Sequence, residues 1–84
     1  MNNFVLKNNL KKYRKKFRIT QDEMAIKLDI KRSYYSDIER GVYVLSTMLA
    51  FQISKAINDI TFEKQRLRTR LLVDDLFYIE DIGS

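Results

Sequence analysis

The chain has 84 residues, no cysteine, histidine or proline, and only two glycines; sixteen Lys/Arg face eleven Asp/Glu, a formal net charge of +5. That length bounds one small domain near the lower limit for a core without staples, and the missing cysteine and histidine exclude disulfides, thiolate chemistry, zinc fingers and histidine acid-base catalysis. The scarcity of glycine and proline favours long helices over a turn-rich β fold, so a compact all-α, five-helix domain is expected over residues 1–84, with a core at about 4–58 and no metal or cofactor.

In chain order, Leu6, Leu10, Tyr13 and Phe17 recur at helical spacing and predict a first helix from Phe4 or Lys7 to Phe17, capped by Asn2 or Asn3, with a basic outer face. Thr20 is suited to cap a second helix over Gln21 to Leu28, with Glu23 at the spacing of a capping box and Met24, Ala25 and Leu28 facing inward. A third helix runs from about Arg32 to Arg40. Ile30, Tyr35 and Ile38 face inward, while Lys31, Arg32, Ser33, Tyr34, Ser36 and Asp37 line the other side, and Gly41 ends the helix in a left-handed conformation.

Val42 to Leu45 is apolar, partly β-branched, and read as a linker. Ser46 or Thr47 then caps a fourth helix through Ile57, which Asn58 and Asp59 interrupt, and Thr61 caps a fifth helix extending over about 61–79. Glu80 to Ser84 is expected to fray.

The positive charge is uneven. Residues 1–43 hold eleven basic against five acidic residues, and the remainder five against six, so the excess lies in the half of the chain that holds the helix-turn-helix, where phosphates would be met. No run approaches the roughly 18 apolar residues of a membrane span, and the N-terminus lacks an apolar signal core, so a cytoplasmic protein without membrane contact is expected. Asp74-Asp75 and Glu80-Asp81 are adjacent carboxylates that point apart on a helix, with no nucleophile or ligand beside them, so no enzyme is expected.

LKKYRKKFRITQDEMAIKLDIKRSYYSDIERG, with LSTMLAFQISKAI after it, resembles the phage Cro and repressor type of helix-turn-helix, the XRE-like family. The likeness rests on the TQ start of the second helix, the Ala inside it, the spaced apolar positions and the closing IERG, and covers about two-thirds of the chain. It implies a lambda-repressor-like fold with an extended C-terminal helical segment, and a sequence-specific DNA-binding regulator. On this resemblance Gln21 bonds a DNA phosphate, and the third helix enters the major groove with Arg32, Ser33 and Asp37 toward base edges and Tyr34 and Ser36 at its flanks. The residue types suit that role: Arg32 can fork onto guanine O6 and N7, and Asp37 can accept from cytosine N4. Lys31 is read as a phosphate contact. Arg14 and Glu39 fall where family members place an ion pair tying the first helix to the third, and Tyr35 replaces an aliphatic core residue, its hydroxyl expected to reach an edge.

Three departures stand out. Asp29-Ile30 replaces the family's Gly-Val turn, so Asp29 must adopt the left-handed conformation. Val42 to Leu45 replaces polar, phosphate-contacting residues. The 61–79 segment replaces a short fifth helix, and its Leu71, Leu72, Leu76 and Phe77 are read either as a homodimer surface or as completion of the core. The expected function is a dimeric repressor of phage or mobile-element type on a pseudo-palindromic operator. The alternative is a protein-interaction module, antitoxin or antirepressor-like, that meets a second regulatory protein through residues 42–45 and the C-terminal helix.

Overall fold

Residues Phe4–Asn8 form a strand, β1, where the helical spacing of Leu6 and Leu10 predicts the start of a helix. The computed structural model describes residues 3–83, so the expectations for Asn2 as a cap and Ser84 as a frayed end lie outside the described residues. The elements that follow are α1 (Leu10–Lys16), α2 (Gln21–Leu28), α3 (Arg32–Glu39), α4 (Thr47–Gln65), the single turn α5 (Val73–Leu76) and β2 (Phe77–Asp81). The fold is therefore a helical helix-turn-helix domain with a small sheet, and the expectation of an all-α domain is corrected.

Asn8 makes the break between β1 and α1. Its Oδ1 accepts from the Leu10 N–H at 3.0 Å, and its Nδ2 donates to the carbonyls of Ile38 and Glu39 at 3.2 Å, so one side chain starts α1 and caps the end of α3. Asn3 caps no helix; its carbonyl accepts from Ile82 N–H at 2.7 Å beside the sheet. β1 pairs antiparallel with β2, Phe4 opposite Asp81 and Asn8 opposite Phe77, so Glu80 and Asp81 are paired strand residues and not a frayed tail. Phe77 is buried at the inner end of the sheet, while Phe4, Tyr78 and Ile79 stay exposed farther out.

The fourth helix is longer than predicted because its polar residues have tertiary partners. Ser46 accepts from Leu49 N–H at 3.1 Å and starts α4 as expected. Asn58 does not interrupt it: its Oδ1 accepts from Leu71 N–H and Thr69 Oγ1, and its Nδ2 donates to Leu71 O, which ties residues 69–71 to the helix. Asp59 pairs with Lys55 at 2.7 Å, and Thr61 donates its hydroxyl to Ile57 O instead of capping a new helix. The predicted helix at about 61–79 is thus the end of α4, a loop, α5 and β2. Leu76 is fully buried and Phe77 nearly so, Leu71 packs partly against the core, and Leu72 is exposed. Of the two roles open to that cluster, Leu76 and Phe77 take the core one.

Leu10, Met24, Tyr35, Ile38, Ile53 and Ile57 are the centre of the core, joined by Leu76 and Phe77. No described helix is long and apolar enough to cross a membrane.

Candidate nucleic-acid interface

The two central helices begin and end where the local chemistry requires. Thr20 Oγ1 accepts from Glu23 N–H at 3.0 Å while Glu23 Oε1 accepts from Thr20 N–H at 2.8 Å, a complete capping box. α2 closes on Asp29 at φ 57°, the left-handed turn residue, and Ile30 N–H reaches back to Ala25 O at 3.0 Å. α3 ends before Gly41, whose φ of 77° is costly for any residue with a Cβ. These two stops set the turn between α2 and α3 and the exit of α3.

Arg14 fixes the orientation of α3. Its Nε and Nη2 hold the Glu39 carboxylate oxygens at 2.7 and 3.1 Å, and its Nη1 donates to Ile19 O at 3.0 Å. Gln21 Nε2 adds a bond to Glu39 Oε1 at 3.2 Å, so three helices meet at one carboxylate. Burial opposes ionisation of Glu39, but the bonds from Arg14 and Gln21 outweigh it and hold the carboxyl below its ordinary 4.5. The Glu39 hydrogen bond in turn raises Arg14.

Tyr35 is fully buried as expected, beside this pair, and burial above all pushes its phenol well up. Its hydroxyl does not reach a partner: although Glu39 and Arg14 are its charged neighbours, no described group meets it in hydrogen-bond geometry. Tyr35→Phe is therefore expected to keep the fold and raise stability by up to about 1 kcal/mol, since it deletes a desolvated group without return. Thermal melts check this, and a loss of similar size would contradict it.

Lys31, Arg32 and Ser33 are exposed at the start of α3, and Ser36 and Asp37 are partly exposed one turn on. Ser33, Ser36, Asp37 and Arg40 follow the spacing of a single helix face, exposed at Ser33 and Arg40 and partly exposed at Ser36 and Asp37. Arg40 Nη1 holds Asp37 Oδ1 at 2.7 Å. Arg32 stands at the edge of that face, with its Nε 3.3 Å from Asp22 on α2. Tyr34 is set apart from the others: it is half-buried against the core and meets Tyr43 edge-on at 5.1 Å. It thereby anchors the loop after Gly41, where Val42 and Val44 remain exposed.

Beside the start of α3 lies a groove of about 730 Å³ between α1 and the N-terminus of α2, lined in part by Lys11, Lys15, Arg18, Gln21 and Arg32. Gln21 and Arg32 are thus brought together, and three basic residues that the sequence reading placed only on an outer face join them. Their spacing, with Lys15 four residues and Arg18 seven after Lys11, was the available signal.

Two helices joined by a left-handed turn, the second with a polar face that reaches solvent, define a helix-turn-helix protein. A family model described as helix-turn-helix matches residues 10–65. An uncharacterized HTH-type transcriptional regulator of Methanocaldococcus jannaschii is 34% identical over 76 residues, covering 90% of this chain and 97% of that protein. An uncharacterized HTH-type transcriptional regulator of Archaeoglobus fulgidus is 32% identical over 53 residues, 63% of this chain and 75% of its own. Another from the same organism is 26% identical over 76 residues, 90% and 91%. No solved structure matches the chain. The chain belongs to the XRE-like helix-turn-helix family.

Proposed function

We propose that this chain is a DNA-binding transcriptional regulator that lays α3 in the major groove and represses by occupying an operator. The observation that carries the reading is the polar, solvent-reaching face of α3, tied to α1 by the Arg14–Glu39 pair. In this reading Arg32, Ser33, Ser36 and Asp37 meet base edges, Lys31 meets a phosphate, and Gln21 spends one amide hydrogen on Glu39 and offers the other to the backbone. Tyr34 positions the following loop and lies at the margin of the contact. A single α3 touches few bases, so two copies about a two-fold axis read half-sites about one helical turn apart, which makes the operator pseudo-palindromic.

The test is an anisotropy titration of the chain against duplex DNA across salt. Affinity is expected to fall steeply and linearly on a logarithmic plot as salt rises, because each neutralised phosphate releases counterions. Binding indifferent to salt, or no binding at low salt, would contradict the proposal.

A second reading is favoured by one observation: Val44 is 92% exposed, and Val42, Met48 and Phe51 are exposed with it. A protein-interaction module would use this apolar surface for a second regulatory protein. Pull-down with and without nuclease separates the two, since capture through shared DNA disappears on digestion.

A further inference from the structure

α3 has little of its own to fix its angle. It has eight residues, its N-cap Lys31 makes no side-chain cap, and only Tyr35 and Ile38 on it are buried. A helix that short is not stable alone, so its placement is set by what grips it. The grip is concentrated at Glu39, the last helical residue. Arg14 and Gln21 hold its carboxylate from α1 and α2. Its carbonyl is held from β1: the one hydrogen-bond partner of Glu39 O among the described residues is Asn8 Nδ2 at 3.2 Å, and the same Nδ2 reaches Ile38 O at 3.2 Å.

Asn8 is the bridge between β1 and the exit of α3. A cleft of about 410 Å³ opens between residues 5–8 and residues 39–41, and among the described residues no hydrogen bond or ion pair joins its two walls except those from Asn8. The bridge has a firm footing. Asn8 lies opposite the buried Phe77 in the sheet, and the N–H of Asn9 donates to Leu76 O at 2.7 Å. Asn8 Oδ1 is occupied by Leu10 N–H at 3.0 Å, so the amide cannot turn without losing its bonds at both ends. Only a side chain with a donor and an acceptor a fixed distance apart serves both helices, which is the chemistry of an amide. We propose that Asn8 is a positioning residue for base reading, acting through α3 by holding its exit at the angle at which Ser33, Ser36 and Asp37 meet base edges. The inference rests on the DNA-binding reading and adds the N-terminal strand to the machinery of recognition. Its signature is a loss of discrimination: hydrogen bonds to base edges weaken steeply with angle, whereas the attraction between cations and phosphates tolerates a small rotation of the helix.

The test compares Asn8→Ser with Asn9→Ala. Serine keeps an acceptor for Leu10 N–H but is too short to reach α3. Alanine at position 9 removes a bond of the same kind, from Asn9 Nδ2 to Asp75 O at 3.3 Å, that does not involve α3. Each variant is compared with the wild-type chain, below its melting transition, for binding to a selected duplex and to a random duplex of equal length across salt. Asn8→Ser is expected to lose about tenfold on the selected duplex, the scale of the two hydrogen bonds removed, and to bind the random duplex with the wild-type affinity and salt slope. Asn9→Ala is expected to keep both. Asn8→Asp, which keeps the shape and the Leu10 bond but has no donor for α3, should lower the ratio of selected to random affinity at least as far, a ratio in which its added charge cancels. Equal losses on the two duplexes, an unchanged ratio, or the same selective loss in Asn9→Ala would overturn the positioning role and leave the regulator reading intact. Wild-type chain that does not distinguish the two duplexes would remove base reading itself.

Discussion

Glu39→Ala is expected to destabilise the fold by about 3 to 5 kcal/mol and to abolish DNA binding under conditions where the wild-type chain binds. The reason is asymmetry. A buried pair adds little net stability when both partners are present, but removing one leaves the other charge buried without a partner. Here the side chains are 4% exposed for Glu39 and 11% for Arg14, and Gln21 loses its acceptor in the same step. Against a total stability of about 5 to 15 kcal/mol for a domain of this kind, that is a large fraction. Urea denaturation at neutral pH measures it, and a loss below about 1 kcal/mol would show that the pair does not hold α3. A companion variant replacing both partners by apolar residues of similar size is expected to recover most of the stability.

The same carboxylate sets a pH dependence. Glu39 is held below its ordinary 4.5 in the folded chain, so its contribution is fully present above that value and is lost as pH falls through the lower folded value. Glu23 is shifted in the same direction, chiefly by its backbone hydrogen bond to Thr20. Wild-type stability should therefore drop on acidification below 4.5, and Glu39→Ala should drop less steeply, retaining the share that belongs to Glu23. Parallel curves would contradict this.

The second large effect is on recognition. Arg32→Ala is expected to cost about 1 to 3 kcal/mol of affinity for a selected sequence, roughly five- to 150-fold, and to relax the preference at one base position. In the free chain Arg32 rests on Asp22 at 3.3 Å, but both side chains are well over half exposed, and a pair of that kind holds its partners weakly. Exchanging Asp22 for a guanine edge is therefore inexpensive. Lys31→Ala, which removes a phosphate contact, should weaken selected and random duplexes alike. Equal losses on both duplexes for Arg32→Ala would contradict the base-reading role.

What was legible in the sequence was local. The Thr20 capping box, the left-handed Asp29, the Gly41 stop and the bounds of α2 and α3 each follow from a few neighbouring residues, and the structure has them where the spacing puts them. The Arg14–Glu39 pair was legible only through the family resemblance, since 25 residues separate its partners. The errors are non-local. Leu6 and Leu10 fit the helical period, whereas the conformation of β1 is fixed by backbone bonds to residues 77–81 at the other end of the chain. Asn58 and Thr61 looked like a break and a cap because their partners, the 69–71 loop and the Ile57 carbonyl, are visible only once the chain is folded. The groove was hidden for the same reason: Lys11, Lys15 and Arg18 come from α1 and its exit, and become a concave surface only when α2 and Arg32 close its other wall.

Whether α3 reads bases in the major groove is tested most directly by in vitro selection of duplexes from a random pool, followed by binding to the selected sequence methylated at guanine N7. An inverted repeat with half-sites about one helical turn apart is expected, and N7 methylation within a half-site should block binding. A pool that yields no enriched sequence, or binding that N7 methylation leaves unchanged, would contradict the assignment of α3 as the reading helix.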